Sequence, residues 1–264
     1  MKKPLKLVGK FVVLGLFLYW LPWLTLFYLA CGLYDVSRHR PLTAEVMKKY
    51  FFGKGWFVWL LSPLNILFDL LGLPYRNKGI YRLADLPEAY QAEVKELLDI
   101  ARRERLTERL AEKTQGIPRA MMFWKWYRKD VETSIDVPAF HRDFKYITTI
   151  GVSVFNQRTS TSAHFGPLRA SYRLLYNLND MTGKDAYIEV GDTFHYWSED
   201  KLFIFDDTLL HQSHNKTDQA RYCLFVDFVR PSTMPAFFRG VVDVLNVLLS
   251  SVNSIFYKNW KKVA

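Results

Sequence analysis

Cysteine is nearly absent. The 264 residues contain two, Cys31 and Cys223, too few for a disulfide framework or a cysteine-ligated zinc site. Charged residues make up only 23% of the chain while half of it is hydrophobic. That balance excludes a disordered or low-complexity chain and leaves enough apolar side chains for a sizeable core. The length accommodates one enzyme-sized domain with accessories and no repeat array. A serine nucleophile elbow, a phosphate-binding loop and an HExxH sequence are also missing, so the corresponding hydrolase and nucleotide-binding signatures do not apply. Acidic residues are scarce in one stretch: residues 1–80 hold eleven Lys and Arg against Asp35, Glu45 and Asp69, a surplus of +8 in a chain whose formal charge is +10. A nucleic-acid enzyme would carry its basic surface on the domain that does the chemistry. Here the basic residues flank apolar segments, which points to anionic lipid and to no nucleic-acid partner.

Residues 11–33 run for 23 positions without a charge, long enough for the roughly 20 that a spanning helix needs. The run is too bulky for a signal peptide and no small-residue cleavage site follows it. The expectation is a retained transmembrane helix kinked at Pro22, with a buried core helix as the alternative. Residues 56–73 are also apolar but are interrupted by Pro63, Asn65 and Asp69; they read as the return limb of a hairpin or as a helix in the membrane interface. Basic residues on both sides of 11–33 leave its orientation open. Residues 237–260 place Arg239, Asp243, Asn246, Ser250, Asn253 and Ser254 at helical spacing beside a wide apolar face. Trp260, Lys261 and Lys262 at its end suit headgroups. This amphipathic helix either meets the membrane or packs on the catalytic domain.

Between these segments, residues 86–114 predict a solvated support helix closed by Gly116-Ile117-Pro118. From Lys145 onward, runs rich in Tyr, Phe, Ile and Val recur at 146–155, 172–178, 185–190, 193–197, 201–205 and 221–229, parted by turn residues such as Met181-Thr182-Gly183-Lys184. Strands spaced in this way with no helices between them predict a mainly β fold, an antiparallel jelly roll of about eight strands. The expected organisation is a membrane-anchoring segment (1–80), a helical support region (81–144), a β core (145–231) and a C-terminal amphipathic helix (232–264).

Six histidines are present. His164 stands at the entry to a strand and His211 at the exit of another, 47 residues later; in a jelly roll such positions converge at the barrel mouth, where inward imidazoles hold a metal or, alternatively, are satisfied polar groups. Arg221 opens an apolar strand, and Arg173 sits likewise in Tyr172-Arg173-Leu174-Leu175-Tyr176. A guanidinium in a barrel strand is costly unless it meets an anion, either a ligand carboxylate or a buried acid such as Asp206, Asp207 or Asp227. His214, three residues after His211, points to the opposite strand face. His195 lies in an aromatic strand, and His39 and His141 beside arginines, so none of these four is expected to be a ligand.

At these residues the chain resembles the aspartyl/asparaginyl β-hydroxylase family. The resemblance is carried by His164-Phe165-Gly166-Pro167 with Arg173, by Phe205-Asp206-Asp207-Thr208-Leu209-Leu210-His211, by Asn215-Lys216-Thr217-Asp218-Gln219-Ala220-Arg221 and by Val226-Asp227-Phe228-Val229-Arg230-Pro231. It covers about residues 145–231. The resemblance implies a double-stranded β-helix core, iron(II), 2-oxoglutarate and molecular oxygen as cofactor and cosubstrates, His164 and His211 as iron ligands, Arg221 as partner of the 2-oxoglutarate side-chain carboxylate, and Arg173 as a residue assisting at the cosubstrate or the active site. Gly166 stands where many 2-oxoglutarate oxygenases carry an acid, as it does in the peptide β-hydroxylase branch, and Leu175 stands where relatives often show a histidine.

Within the family, the N-terminal apolar segment, the stretch Ser62-Pro63-Leu64-Asn65-Ile66-Leu67 and the aromatic Phe123-Trp124-Lys125-Trp126-Tyr127 are similar to bacterial lipid A 2-hydroxylases and ornithine-lipid hydroxylases. This implies hydroxylation of a fatty acyl chain next to its carbonyl, with Lys125, Arg128 and Lys129 as headgroup contacts or, alternatively, a solvated rim. Peptide hydroxylation at Asp or Asn and a metal-free membrane-bound binding protein are the alternatives. Because iron(II) and 2-oxoglutarate are cytosolic supplies, the barrel is expected on the cytoplasmic face of the inner membrane.

Overall fold

The computed structural model describes residues 9, 12, 15–249 and 261–263. Two β-sheets face each other. The larger has the order β1 (Ile80–Tyr81), β9 (Leu202–Phe205), β6 (Ser171–Asn177), β11 (Arg221–Val229), β4 (Ile147–Phe155), β2 (Arg119–Trp126) and β12 (Lys261–Lys262), with β3 (Lys129–Asp130) paired to β2. The smaller runs β5 (Thr159–Ser160), β10 (His211–Asn215), β7 (Ala186–Val190) and β8 (Thr193–Tyr196). From β4 to β11 the chain alternates between the sheets, except that β7 and β8 form a hairpin within the smaller one. Eight antiparallel strands wound in this order make a jelly roll.

Strand β11 shows how sequence sets the layers. All nine of its residues are buried, as expected for a strand covered on both faces. Period-two alternation sends Cys223 and Phe225 into the space between the sheets, while Tyr222, Leu224, Val226 and Phe228 pack on the outer side. That outer layer is completed by α5 (Glu88–Arg103) through Tyr90, Val94, Leu97, Leu98 and Ala101, and by α6 (Leu106–Thr114) through Leu106 and Leu110. The carboxylate of Glu93 accepts the N–H groups of Lys145, Tyr146 and Ile147 at 2.5, 2.8 and 3.1 Å, fixing the helix to the start of β4.

Three expectations need correction. The support helix is two helices, because Arg105 takes a left-handed conformation (φ 47°) between them. The region 81–144 is not wholly helical, since β2 and β3 join the larger sheet. The run 11–33 is not one continuous helix in its described part. Residues 15–20 are helical, Leu21 leaves helical geometry (φ −135°, ψ 58°), and α1 (Pro22–Val36) begins afresh with proline in its first turn. Proline lacks an N–H and disfavours helical geometry in the residue before it. Among the described residues no helix is long and apolar enough to cross a membrane.

After α1 come α2 (Ala44–Phe52), capped by Thr43 Oγ1 accepting from the Val46 N–H at 3.2 Å, then α3 (Trp56–Leu60) and α4 (Ser62–Leu71). The polar residues that interrupt the apolar runs are the ones that dock these helices on the barrel. Asn65 is fully buried, donating to the Pro167 carbonyl at 3.2 Å and accepting from the Arg169 N–H at 2.9 Å. Arg169 is ion-paired with Asp35 of α1 and Asp69 of α4, and Asp69 also accepts from Arg230 at 2.6 Å. The remaining surface of α1, α3 and α4 is apolar and open, with Trp20 and Trp23 74% and 83% exposed.

The C-terminal helix α7 (Pro235–Leu249) packs on the domain through Phe238 and Val242, and Asn246 donates to the carbonyls of Trp126 and Tyr127, both at 2.9 Å. Val244 and Val247 remain exposed. Lys261 and Lys262 pair in parallel with β2. Ser250, Asn253, Ser254 and Trp260 lie outside the described residues.

Candidate active site

His164 and His211 meet at one end of the smaller sheet. They form an antiparallel bridge, with the His164 N–H donating to the His211 carbonyl at 3.1 Å and the reverse bond at 3.0 Å. Their rings lie 4.2 Å apart between centroids. Nδ1 of His164 is 2.7 Å from the Ser162 carbonyl, and Nδ1 of His211 is 2.9 Å from that of Leu209. A carbonyl can only accept, so each Nδ1 carries the hydrogen and each Nε2 is left with its lone pair, the tautomer of a metal ligand. Burial pushes both imidazoles below their usual pKa, His211 well below, which favours the neutral form that ligates. Among the described residues, no group of three or more His, Cys, Asp and Glu side chains is placed to hold a metal ion.

An acid in the turn before β10, Asp207, meets the segment that follows His164. Gly166 donates its N–H to the Asp207 carbonyl at 2.7 Å, and a Cβ at position 166 would fall on the Asp207 carboxyl group. A side chain at 166 would therefore have to displace the Asp207 carboxyl, which occupies the space that an acid there would need. Asp207 is paired with Arg173 at 3.0 Å, and the same guanidinium donates to Asp227 at 2.9 and 3.3 Å. One cation shared by two acids leaves surplus negative charge, and burial raises the Asp207 carboxyl above the ordinary carboxylate range against the pull of Arg173. Of the two environments open to Arg173 in the sequence, this is the ion pair with buried acids, a hold on Asp207 and Asp227.

Arg221 has the opposite surroundings. It is 1% exposed, lies over the rings of Phe155 (4.1 Å) and Trp197 (5.4 Å), and its Nε and Nη1 have no hydrogen-bond partner. No carboxylate among the described residues pairs with it. Trp197 Nε1 is likewise buried and unpartnered. Native interiors satisfy such donors, so these groups are placed to donate to an acceptor that the protein itself does not supply. Leu175 is buried in the apolar interior beside Phe225 and Phe203.

The expected headgroup residues are scattered. Lys125 is 4% exposed and donates to Asp130 at 2.5 Å, so it is not available to a headgroup. Arg128 pairs with Asp243 of α7 at 2.7 Å, and only Lys129 is open. His214 stacks on Tyr187 (4.6 Å), His195 on Phe203 (4.5 Å), His141 pairs with Asp136, and His39 packs edge-on against Phe165. Sequence reasoning missed the seat of Asp207 over Gly166 and the place of Trp197 beside Arg221. The paired acids Asp206-Asp207 were a usable signal for the first; nothing local marks the second.

The family model described as Aspartyl/Asparaginyl beta-hydroxylase matches residues 89–231. Over 93 residues the chain is 39% identical to the ornithine lipid ester-linked acyl 2-hydroxylase of Rhizobium tropici, covering 35% of this chain and 33% of that relative. The match thus spans about a third of the relative's length. Two solved structures overlap slightly. These are TT1209 from Thermus thermophilus (13% identity, 34% of this chain and 79% of that one, TM-score 0.27) and the Schizosaccharomyces pombe Cnp3 cupin domain (11%, 33% and 56%, TM-score 0.28). At those scores neither bears on the site. The family match covers more than half of the chain and takes in both histidines, Asp207 and both arginines, and the chain belongs to the aspartyl/asparaginyl β-hydroxylase family.

Proposed function

We propose that the chain is an iron(II)- and 2-oxoglutarate-dependent hydroxylase acting on a fatty acyl chain of a membrane lipid, at the carbon next to the carbonyl. The observation that carries this reading is the presence, in one barrel, of two neutral imidazoles with unused Nε2 atoms and a buried arginine whose donors have no partner. His164 and His211 would hold the metal. Arg221 would receive the far carboxylate of 2-oxoglutarate, for which its fork is suited, with Trp197 Nε1 as a neighbouring donor. Asp207 and Asp227, sharing Arg173, supply negative charge that a divalent cation offsets. Iron(II) with oxygen and 2-oxoglutarate provides the oxidising chemistry, releasing succinate and carbon dioxide as a C–H becomes C–OH.

The lipid part rests on the open apolar surface of α1, α3 and α4 and on the relative named as an ornithine lipid acyl hydroxylase. The helices that carry that surface are packed beside the site. Phe165, next to His164, packs with Val36, Tyr50 and Val58 of the helices, and Lys54 donates to Ser162 at 2.9 Å. We place this face in the inner membrane and the barrel on its cytoplasmic side, where iron(II) and 2-oxoglutarate are available.

The test is anaerobic loading with iron(II), then oxygen with 2-oxoglutarate and a total membrane-lipid extract, reading succinate and the gain of one oxygen atom on a lipid. A lipid-dependent gain that disappears in His211→Ala is expected. Succinate without a lipid product would redirect the assignment to a peptide substrate, and the absence of both would overturn it.

A further inference from the structure

The site is held from outside the β core. Asp206, adjacent to Asp207, is fully buried, and its Oδ2 accepts from Arg38 Nη2 and Asn77 Nδ2, both at 2.7 Å. Its N–H donates to the Gly79 carbonyl at 2.7 Å. Arg38 follows α1, and Asn77 and Gly79 follow α4, so three contacts to one buried residue come from the N-terminal segment. The other carboxylate oxygen of Asp206 folds the turn on itself, accepting from the Thr208 N–H at 3.0 Å and from Thr208 Oγ1 at 2.7 Å. The Leu209 N–H closes the turn on the Asp206 carbonyl at 3.1 Å. This turn then meets both histidines: the Leu209 carbonyl is the partner of His211 Nδ1 at 2.9 Å, and the Asp207 carbonyl holds the Gly166 N–H, two residues past His164, at 2.7 Å.

We infer that Arg38 is a positioning residue for the iron site, fixing through Asp206 the turn whose Leu209 carbonyl orients His211 and whose Asp207 carbonyl ties in the His164 segment. The inference rests on the metal reading of the two histidines. Without Arg38 the buried Asp206 carboxylate keeps the donors of Asn77 and Thr208 and the more distant charge of Arg169 but loses its paired cation; that loss is costly in a buried site, and a turn that relaxes to relieve it carries the imidazole partner with it. Groups that orient a metal-bound histidine commonly alter metal affinity by about 10–100-fold when removed. The N-terminal helices are therefore part of the construction of the site, in addition to forming the apolar face.

Simple docking of the helices is separable from this role. Tyr50 of α2 donates to Asp35, 3.9 Å from Arg38, at 2.5 Å in the same boundary and has no hydrogen bond to the turn, and Tyr50→Phe keeps the ring that packs on Phe165. The experiment uses the full chain in detergent with cobalt(II) as probe, reading the dissociation constant and the visible ligand-field spectrum. Arg38→Gln is expected to weaken cobalt binding by about tenfold or more and to change the band shape. Tyr50→Phe should bind as the parent does, and Arg38→Lys should fall between, since an ammonium keeps the charge but loses the planar fork. Parent-like affinity and spectrum in folded Arg38→Gln would overturn the inference, as would equal weakening in Tyr50→Phe. Should Arg38→Gln not fold, Arg38→Lys decides, and parent-like binding there overturns it. Equal cobalt binding by the parent and His211→Ala would overturn the metal reading and this inference with it.

Discussion

Buried and half-buried arginines occur in two settings in this molecule. At the boundary between the N-terminal helices and the barrel, Arg169 and Arg230 share Asp69, Arg169 also meets Asp35, and Arg38 meets Asp206. Inside the barrel, Arg221 lies over two aromatic rings with unpartnered donors. The two cost the fold different things. A paired buried charge fixes where one body docks on another, because removing either member strands its partner. An unpaired one costs the free protein stability and is repaid only when an anion arrives.

The comparison is broken most severely on the paired side. Asp69→Asn strands Arg230 and leaves Arg169 with Asp35 alone, and is expected to destabilise the protein by about 3–5 kcal/mol in chemical denaturation. A loss below about 1 kcal/mol would mean that the ion pairs do not hold the helices. The same side should respond to acid through His39, whose pKa is pushed down to about 4 by burial, with Arg38 adding to the effect and Asp206 opposing it. The unfolded chain takes up that proton near the ordinary value of about 6.5. The stabilisation is therefore present in full above that pH and is lost as pH falls from about 6.5 to about 4, amounting to at most about 3 kcal/mol. His39→Phe should flatten this part of the stability profile, and an unchanged slope would assign the acid sensitivity elsewhere.

Arg221→Met sharpens the comparison because its stability effect has the opposite sign. Without bound anion, the variant should be as stable as the parent or more stable by about 1 kcal/mol. Its 2-oxoglutarate requirement for half-maximal turnover should rise by about tenfold or more. A strongly destabilised variant would show that Arg221 has a structural partner after all.

Much of the β core was legible in the residues. The six aromatic and β-branched runs after Lys145 fall on β4, β6, β7, β8, β9 and β11, since alternation of apolar residues at period two survives packing. Strand β10 was not legible, because His211-Gln212-Ser213-His214-Asn215 is polar and has little strand propensity of its own; its pairing to β5 and β7 makes it a strand. Asn65 and Asp69, interruptions in an apolar sequence, are the residues that face the barrel. The break at Leu21 follows locally from Pro22, at which the sequence predicted a kink in a continuing helix.

The sequence by itself determined the strand pattern, the basic and apolar N-terminal segment, and the pair of histidines, because each depends on residues close together in the chain. It could not separate Arg173 from Arg221, two arginines in otherwise apolar strands. Arg173 finds Asp227 across the sheet, 54 residues away, and Asp207 from the turn before β10. Arg221 lies over two rings and meets no carboxylate among the described residues. Only the tertiary structure decided which guanidinium is paired with acids and which is not, because an ion pair depends on distance and burial in space, and a strand carries no record of what will be packed against it.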